Sequence, residues 1–191
     1  MNFIYFVVIL ILLIYIFFIV NNNLLHINTN YGTVIIYNDN NNTNIEKKIQ
    51  LLSKIIFNMY TLKNHLIKNI ESLNDYKEYI IRLNENFTPD HTRIYETDPN
   101  LDVTSYSINK GQEISMCLRS KISNEFHDIN ILTYVAIHEM AHIANPEIGH
   151  GPLFNKIFKL FIDESIKIGI YKYDDYTKVK KEFCGVIINS N

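Results

Sequence analysis

Asp128-Ile129-Asn130-Ile131-Leu132-Thr133-Tyr134-Val135-Ala136-Ile137-His138-Glu139-Met140-Ala141-His142 decides how this chain is read. Its last five residues spell H-E-x-x-H. On a helix, two histidines four residues apart project from one face, where both imidazoles can share a Zn²⁺ beside the intervening carboxylate. A metal held this way lowers the pKa of water toward neutrality, and the glutamate can take its proton as general base. The result is a nucleophile able to attack a peptide carbonyl.

The upstream residues supply the helix. Asp128 or Asn130 can cap its N-terminus by accepting an otherwise unpaired backbone N–H. Ile131, Tyr134, Val135, His138, Ala141 and His142 recur at spacings of three and four, and no Gly or Pro interrupts the stretch before Pro146. The histidines therefore continue an inward apolar stripe. Buried imidazoles need partners, and a metal supplies one to both. A surface helix with two solvated histidines does not explain that stripe.

Pro146 ends the helix, Gly149 and Gly151 flank His150, and Pro152 suits the first turn of the next helix. That geometry returns the chain and leaves His150 at a helix entrance, eight residues after the motif. His150 is the expected third ligand. Glu147 is a weaker substitute. Glu164 competes from the following helix, near the edge of the stripe Phe154, Ile157, Phe158, Phe161 and Ser165. A rim carboxylate beside Asp163 is the simpler reading of Glu164.

His138-Glu139-Met140-Ala141-His142 followed by Gly149-His150-Gly151-Pro152-Leu153-Phe154 resembles the minimal zinc proteases of the SprT and WLM type, over roughly residues 101 to 191. Asn145, where metzincins need a Gly, and Ile148, where they need a His, set that other family aside. Ile168-Gly169-Ile170-Tyr171 and Phe183-Cys184-Gly185 also look like the tails of small WLM-like proteins of large DNA viruses. The resemblance implies an α+β, zincin-like metalloprotease domain with an active-site helix, a small antiparallel sheet and N-terminal helices. It implies His138, His142 and His150 on Zn²⁺, Glu139 as base, and a protein or peptide substrate. It also suggests that the strand from Glu113 to Arg119 pairs with the substrate backbone, a plain core hairpin being the equal alternative. Tyr171, Tyr173 and Tyr176, after the second helix, could supply an oxyanion donor.

Phe3 to Val20 is an uncharged, overwhelmingly apolar run of eighteen residues without Gly or Pro. As a helix it spans roughly 27 Å, enough for a hydrocarbon core. It lacks the basic start and small-residue cleavage site of a signal peptide. The expectation is a transmembrane anchor over 1–20 and a single-pass membrane protein. Its orientation is open, because the first Lys or Arg is Lys47.

Residues 21–43 read as an Asn-rich linker, with Tyr31 to Tyr37 as a possible short strand. Residues 44–191 form one domain of ordinary size. Helices are expected over 45–86, where Ile45, Ile49, Leu52, Ile56 and Met59 step by four and three. From 91 to 119 the period becomes two. Thr92–Glu96, Val103–Ile108 and Glu113–Leu118 are candidate strands, the last two joined at Asn109-Lys110-Gly111-Gln112.

Cys117 and Cys184 allow one disulfide or two thiols. A formal charge of −2, with no basic cluster beyond Lys180-Lys181, argues against nucleic-acid binding. The reading is a membrane-anchored zinc endopeptidase. Its alternative is a non-catalytic, membrane-tethered binding or assembly module with structural zinc.

Overall fold

A computed structural model describes residues 5–14, 24–39 and 41–189. The first hairpin pairs β1 (Leu24–Thr29) antiparallel with β2 (Gly32–Tyr37). Val34, Ile35 and Ile36 of β2 are buried. The stretch expected to be a linker over 21–43 therefore carries two strands. β2 falls within the possible strand read at Tyr31 to Tyr37 and places Val34 and Ile36 in the core, whereas the Asn content concealed β1, whose Leu25 and Ile27 pack against it.

Helix α1 (Asn42–Lys68) starts where the Asn41 side chain accepts the Asn44 N–H. It buries Leu52, Ile55, Ile56, Met59, Leu62 and Leu66. A turn and a short 3-10 segment (Asn74–Tyr76) separate it from α2 (Lys77–Asn86), so the 45–86 helical expectation becomes two helices. Lys63 closes the end of α2 by donating to the Phe87 carbonyl at 2.6 Å, and burial lowers its pKa.

Strands β3 (Arg93–Glu96), β4 (Tyr106–Ile108) and β5 (Glu113–Met116) complete a five-stranded sheet in the order β1-β2-β3-β5-β4. β2–β3 and β3–β5 are parallel, whereas β1–β2 and β4–β5 are antiparallel. The sheet is thus mixed, not wholly antiparallel, because the helices between β2 and β3 return the chain in the same direction. The β4–β5 turn has Asn109 and Lys110 at φ 49° and 56°, the left-handed pair that a tight hairpin demands. Buried Lys48 ties α1 to the sheet, bridging Glu96 at 3.1 Å and donating to the Tyr37 carbonyl at 2.8 Å.

Helices α3 (Ile129–Ala144) and α4 (Pro152–Lys167) follow, then a small hairpin of β6 (Lys181–Phe183) and β7 (Val186–Ile188). α3 packs against α1, α2 and α4, and only four of its sixteen residues, Ile129, Asn130, His138 and His142, escape full burial. Cys117 and Cys184 form a disulfide that anchors the β6–β7 turn to the end of β5.

The N-terminal expectation is corrected. Among the described residues, no helix is long and apolar enough to cross a membrane. The described helical stretch there is 5–14, about 15 Å long at 1.5 Å per residue, half of a hydrocarbon core. The remainder of the span read over Phe3–Val20 lies outside the described residues. The single-pass anchor, the membrane localisation and the membrane partner are therefore not carried further.

Candidate metal centre and cleft

The site begins with the cap of α3. The Asp128 carboxylate accepts from the Asn130 and Ile131 N–H groups at 2.9 and 3.1 Å, which starts the helix. Lys181 of β6 pairs with the same carboxylate, so the C-terminal hairpin is fixed to the helix start. At the other end, the fully buried Asn145 accepts the Glu147 N–H at 3.1 Å and turns the chain outward. Gly149 then takes φ +85°, and a Cβ there would meet no neighbour within 4 Å, so conformation alone calls for glycine. This turn carries His150 back over α3, and Pro152 opens α4.

His138, His142 and His150 converge. Their Nε2 atoms lie 3.1 Å (138–142), 3.0 Å (142–150) and 3.0 Å (138–150) apart. A neutral imidazole nitrogen carries either a proton or a lone pair, so three of them cannot satisfy one another in a ring of hydrogen bonds. They can all point lone pairs at one cation. For metal–nitrogen bonds of about 2.0–2.1 Å the edge of a tetrahedron is about 3.3–3.4 Å, close to the observed triangle. The group could hold a metal ion. Burial, then the neighbouring imidazoles, push His138 down to about 3; burial, then His150 and Lys110, push His142 down to about 4. Both imidazoles are therefore neutral at pH 7, with lone pairs available to a cation.

Phe154, the first aromatic residue of α4, backs all three rings, at centroid distances of 4.9 Å from His138, 4.4 Å from His142 and 4.8 Å from His150. The sequence reading placed Phe154 on an apolar stripe and at the end of the resemblance motif, without a role against the histidines. Its spacing of four from His150 was the available signal.

Glu139 is 4% exposed, and burial raises its pKa to about 7 against a hydrogen bond from Ser107 that lowers it. Ser107 lies on β4, so the sheet edge holds the carboxylate. Two cavities open from His138, Glu139 and His150: one of about 400 Å³ toward α4 and the β6–β7 hairpin, one of about 610 Å³ toward Ser107, Lys110 and Gly149.

The other expectations fall elsewhere. Glu164 accepts from His65 Nε2 at 2.7 Å and pairs with Lys167, so it ties α4 to α1 and is not in the histidine group. Glu147 is likewise outside that group. Tyr171 and Tyr176 are buried against Tyr134, and neither they nor Tyr173 line the two cavities. The strand from Glu113 is flanked by β3 and β4, so its backbone is already paired on both sides. β4 is the edge strand on the cleft side, β1 lying at the opposite edge, and Thr104, Ser105 and Ser107 line the cleft.

No family model matches the chain. It is similar to protein R325 of Acanthamoeba polyphaga mimivirus, 38% identical over 148 residues, spanning 78% of this chain and 74% of that protein. It is also similar to protein 136R of Invertebrate iridescent virus 6, at 37% over 82 residues (42% of this chain, 44% of that one). Protein 042R of Invertebrate iridescent virus 3 matches at 34% over 85 residues (44% and 52%). Among solved structures, Wss1 of Saccharomyces cerevisiae aligns at 16% identity with a TM-score of 0.47, covering 71% of this chain and 88% of that one. A mutant of the same protein gives 0.49, also at 16%, covering 70% and 87%. On sequence, the chain belongs to the viral family of mimivirus protein R325.

Proposed function

We propose that the protein is a zinc-dependent endopeptidase acting on extended protein segments. One observation carries the reading: three histidine Nε2 atoms within 3.1 Å of one another, beside a buried glutamate, at the floor of an open cleft. His138, His142 and His150 would hold the ion. When bound, zinc supplies Lewis acidity toward a carbonyl oxygen and lowers the pKa of water. Glu139, raised to about 7, is poised to accept a proton from the attacking water and to return it to the leaving amine. Ser107 keeps the carboxylate aimed into the cleft. These roles agree with those implied by the SprT and WLM resemblance.

The free edge of β4 supports a substrate held as an added strand. Backbone pairing reads few side chains, so many sequences can enter in extended form. A purely structural zinc site is normally closed by a fourth protein ligand. Among the described residues this group offers three, and it opens onto two cavities. That favours catalysis over the binding-module alternative.

The test is digestion of an unstructured protein by the zinc-loaded full chain and by Glu139→Gln. The full chain is needed because β1 and β2 belong to the sheet. Cleavage should be lost in Glu139→Gln while zinc is retained. Equal cleavage by both proteins, or none by the wild type, overturns the proposal.

A further inference from the structure

We propose that the outer face of the sheet carries a second binding site, a slot between Tyr95 and Tyr106 that takes a lysine or arginine side chain from a segment of another protein. The site is separate from the histidine cleft and needs no metal.

Strand register builds the slot. Ile35 of β2, Tyr95 of β3, Ser115 of β5 and Tyr106 of β4 are successive partners across the sheet. Paired residues share a face, and side chains alternate along each strand. Val34, Ile94, Ile114 and Met116 belong to the core on the helix side, so the row containing Tyr95 faces outward. On β4, Ser107 is the partner of Ile114 and turns inward to Glu139, whereas Tyr106 turns away from the cleft.

Two strand spacings, roughly 10 Å, separate Tyr95 from Tyr106. The residue between them is only a serine, and its hydroxyl is engaged with that of Thr97 at 2.8 Å. Two tyrosines thus stand on either side of a small-residue floor. Tyr37, at the end of β2, closes a third side of a cavity of about 190 Å³, room for one long side chain.

Charge selects the occupant. Glu96, Asp98 and Glu113 line the cavity, and among the described residues no Lys or Arg does. Glu96 is neutralised by buried Lys48 at 3.1 Å. Asp98 and Glu113 have no ion-pair partner among the described residues; Arg93, opposite Glu113 in the register, is exposed and lies outside the lining. Burial, then the Asp98 carboxylate, push the Tyr37 hydroxyl up to about 12, so the ring stays neutral beside that charge.

An apolar side chain entering the slot would cover two carboxylates and give them no partner. A lysine or arginine head meets both charges, and the tyrosine faces attract a cation. A chain segment fits better than a free ammonium ion. Leu101 at the lining and Ile108 farther along β4 are both exposed, which gives the residues flanking the basic one an apolar surface to cover.

The experiment is fluorescence anisotropy of labelled, end-capped peptides that differ only at a central Lys, Arg, norleucine or Glu. They are titrated with the full chain carrying Glu139→Gln, so that cleavage cannot consume the probe. The Lys and Arg peptides should bind about tenfold tighter than the other two, and the gap should narrow as salt is raised. Tyr106→Leu and Glu113→Gln, changes at positions open to solvent, should each weaken the Lys peptide by about three- to tenfold, whereas Tyr106→Phe should retain most of the affinity. Tetramethylammonium should displace the peptide only at far higher concentration. Equal binding of the Lys and norleucine peptides, no binding at all, or unchanged affinity in Tyr106→Leu and Glu113→Gln overturns the inference. So does tetramethylammonium that competes as well as the Lys peptide. Each of these outcomes leaves the zinc site and the peptidase reading untouched.

Discussion

Lys110, in the β4–β5 turn, donates to the Asn145 carbonyl at 2.8 Å, and the same ammonium reaches the Glu147 carbonyl at 2.6 Å and the His142 carbonyl at 3.4 Å. A cation at the C-terminal end of α3 complements the helix dipole and satisfies carbonyls left open where the helix stops. It also joins the sheet edge that borders the cleft to the loop that carries His150.

Lys110→Ala should therefore do two things. Losing charge-assisted bonds to backbone should cost about 1–3 kcal/mol in urea unfolding. Because the loop to His150 loses its clamp, zinc affinity should fall as well, measured by competition with a chelator. Unfolding loss with unchanged zinc affinity would confine Lys110 to a structural role.

Gly149→Ala isolates the loop conformation, since a Cβ there meets nothing yet φ is +85°. The strain of a left-handed alanine is roughly 1–2 kcal/mol. Zinc affinity should drop by about tenfold, and Gly149→Asn, which tolerates this region better, should drop less. Equal affinities in all three proteins would contradict the geometry described for the loop.

The disulfide closes a sequence separation of 67 residues. On a chain-entropy account, a loop of that length contributes about 4 kcal/mol by restricting the unfolded chain. Replacing Cys117 and Cys184 by Ser, or unfolding the wild type with and without reductant, should reveal a loss approaching that size. A loss below about 1 kcal/mol would show that the hairpin is held by Phe183, His127 and Lys181 instead.

His127 gives stability a pH dependence. Burial is the first cause of its lowered pKa, opposed by Glu182, Asp128 and the Arg119 backbone, while Lys181 adds to the lowering. Its Nε2 accepts the Cys184 N–H, so the folded state prefers the neutral ring. The unfolded histidine binds a proton near pH 6.5 and the folded one only at lower pH, so stability is full above 6.5 and falls as acid is added. The slope is at most about 1.4 kcal/mol per pH unit for one proton. The stability difference between wild type and His127→Gln, followed from pH 8 to pH 5, should shrink over that range. A constant difference would exclude His127 as the titrating group.

The centre of the molecule was legible because its determinants are local. Helical spacing put His138 and His142 on one face, and Gly149 and Pro152 marked the turn that returns His150. The mixed sheet was not legible, because parallel pairing of β2 with β3 joins Val34 to Ile94 across two helices. β1 hid in an Asn-rich stretch, where a short apolar run carries little weight beside composition, although β2 falls within the strand read at Tyr31 to Tyr37. β6 and β7 are three residues each, too short for alternation to show, although Cys184-Gly185 at φ 51° and 83° is a tight-turn signature. The edge role of β4 over β5 depends on which strand lies last in the sheet, a long-range fact. The N-terminal run was misjudged because apolar composition alone was converted into a spanning helix.

Everything proposed for the cleft stands on a cation among three nitrogens. The most direct test is the zinc content and affinity of the purified full chain beside His150→Ala and Glu164→Ala. The account predicts about one zinc per chain for the wild type and for Glu164→Ala, and an affinity reduced at least a hundredfold in His150→Ala. A wild type that binds no zinc, or a His150→Ala variant that holds it as tightly, would contradict the account.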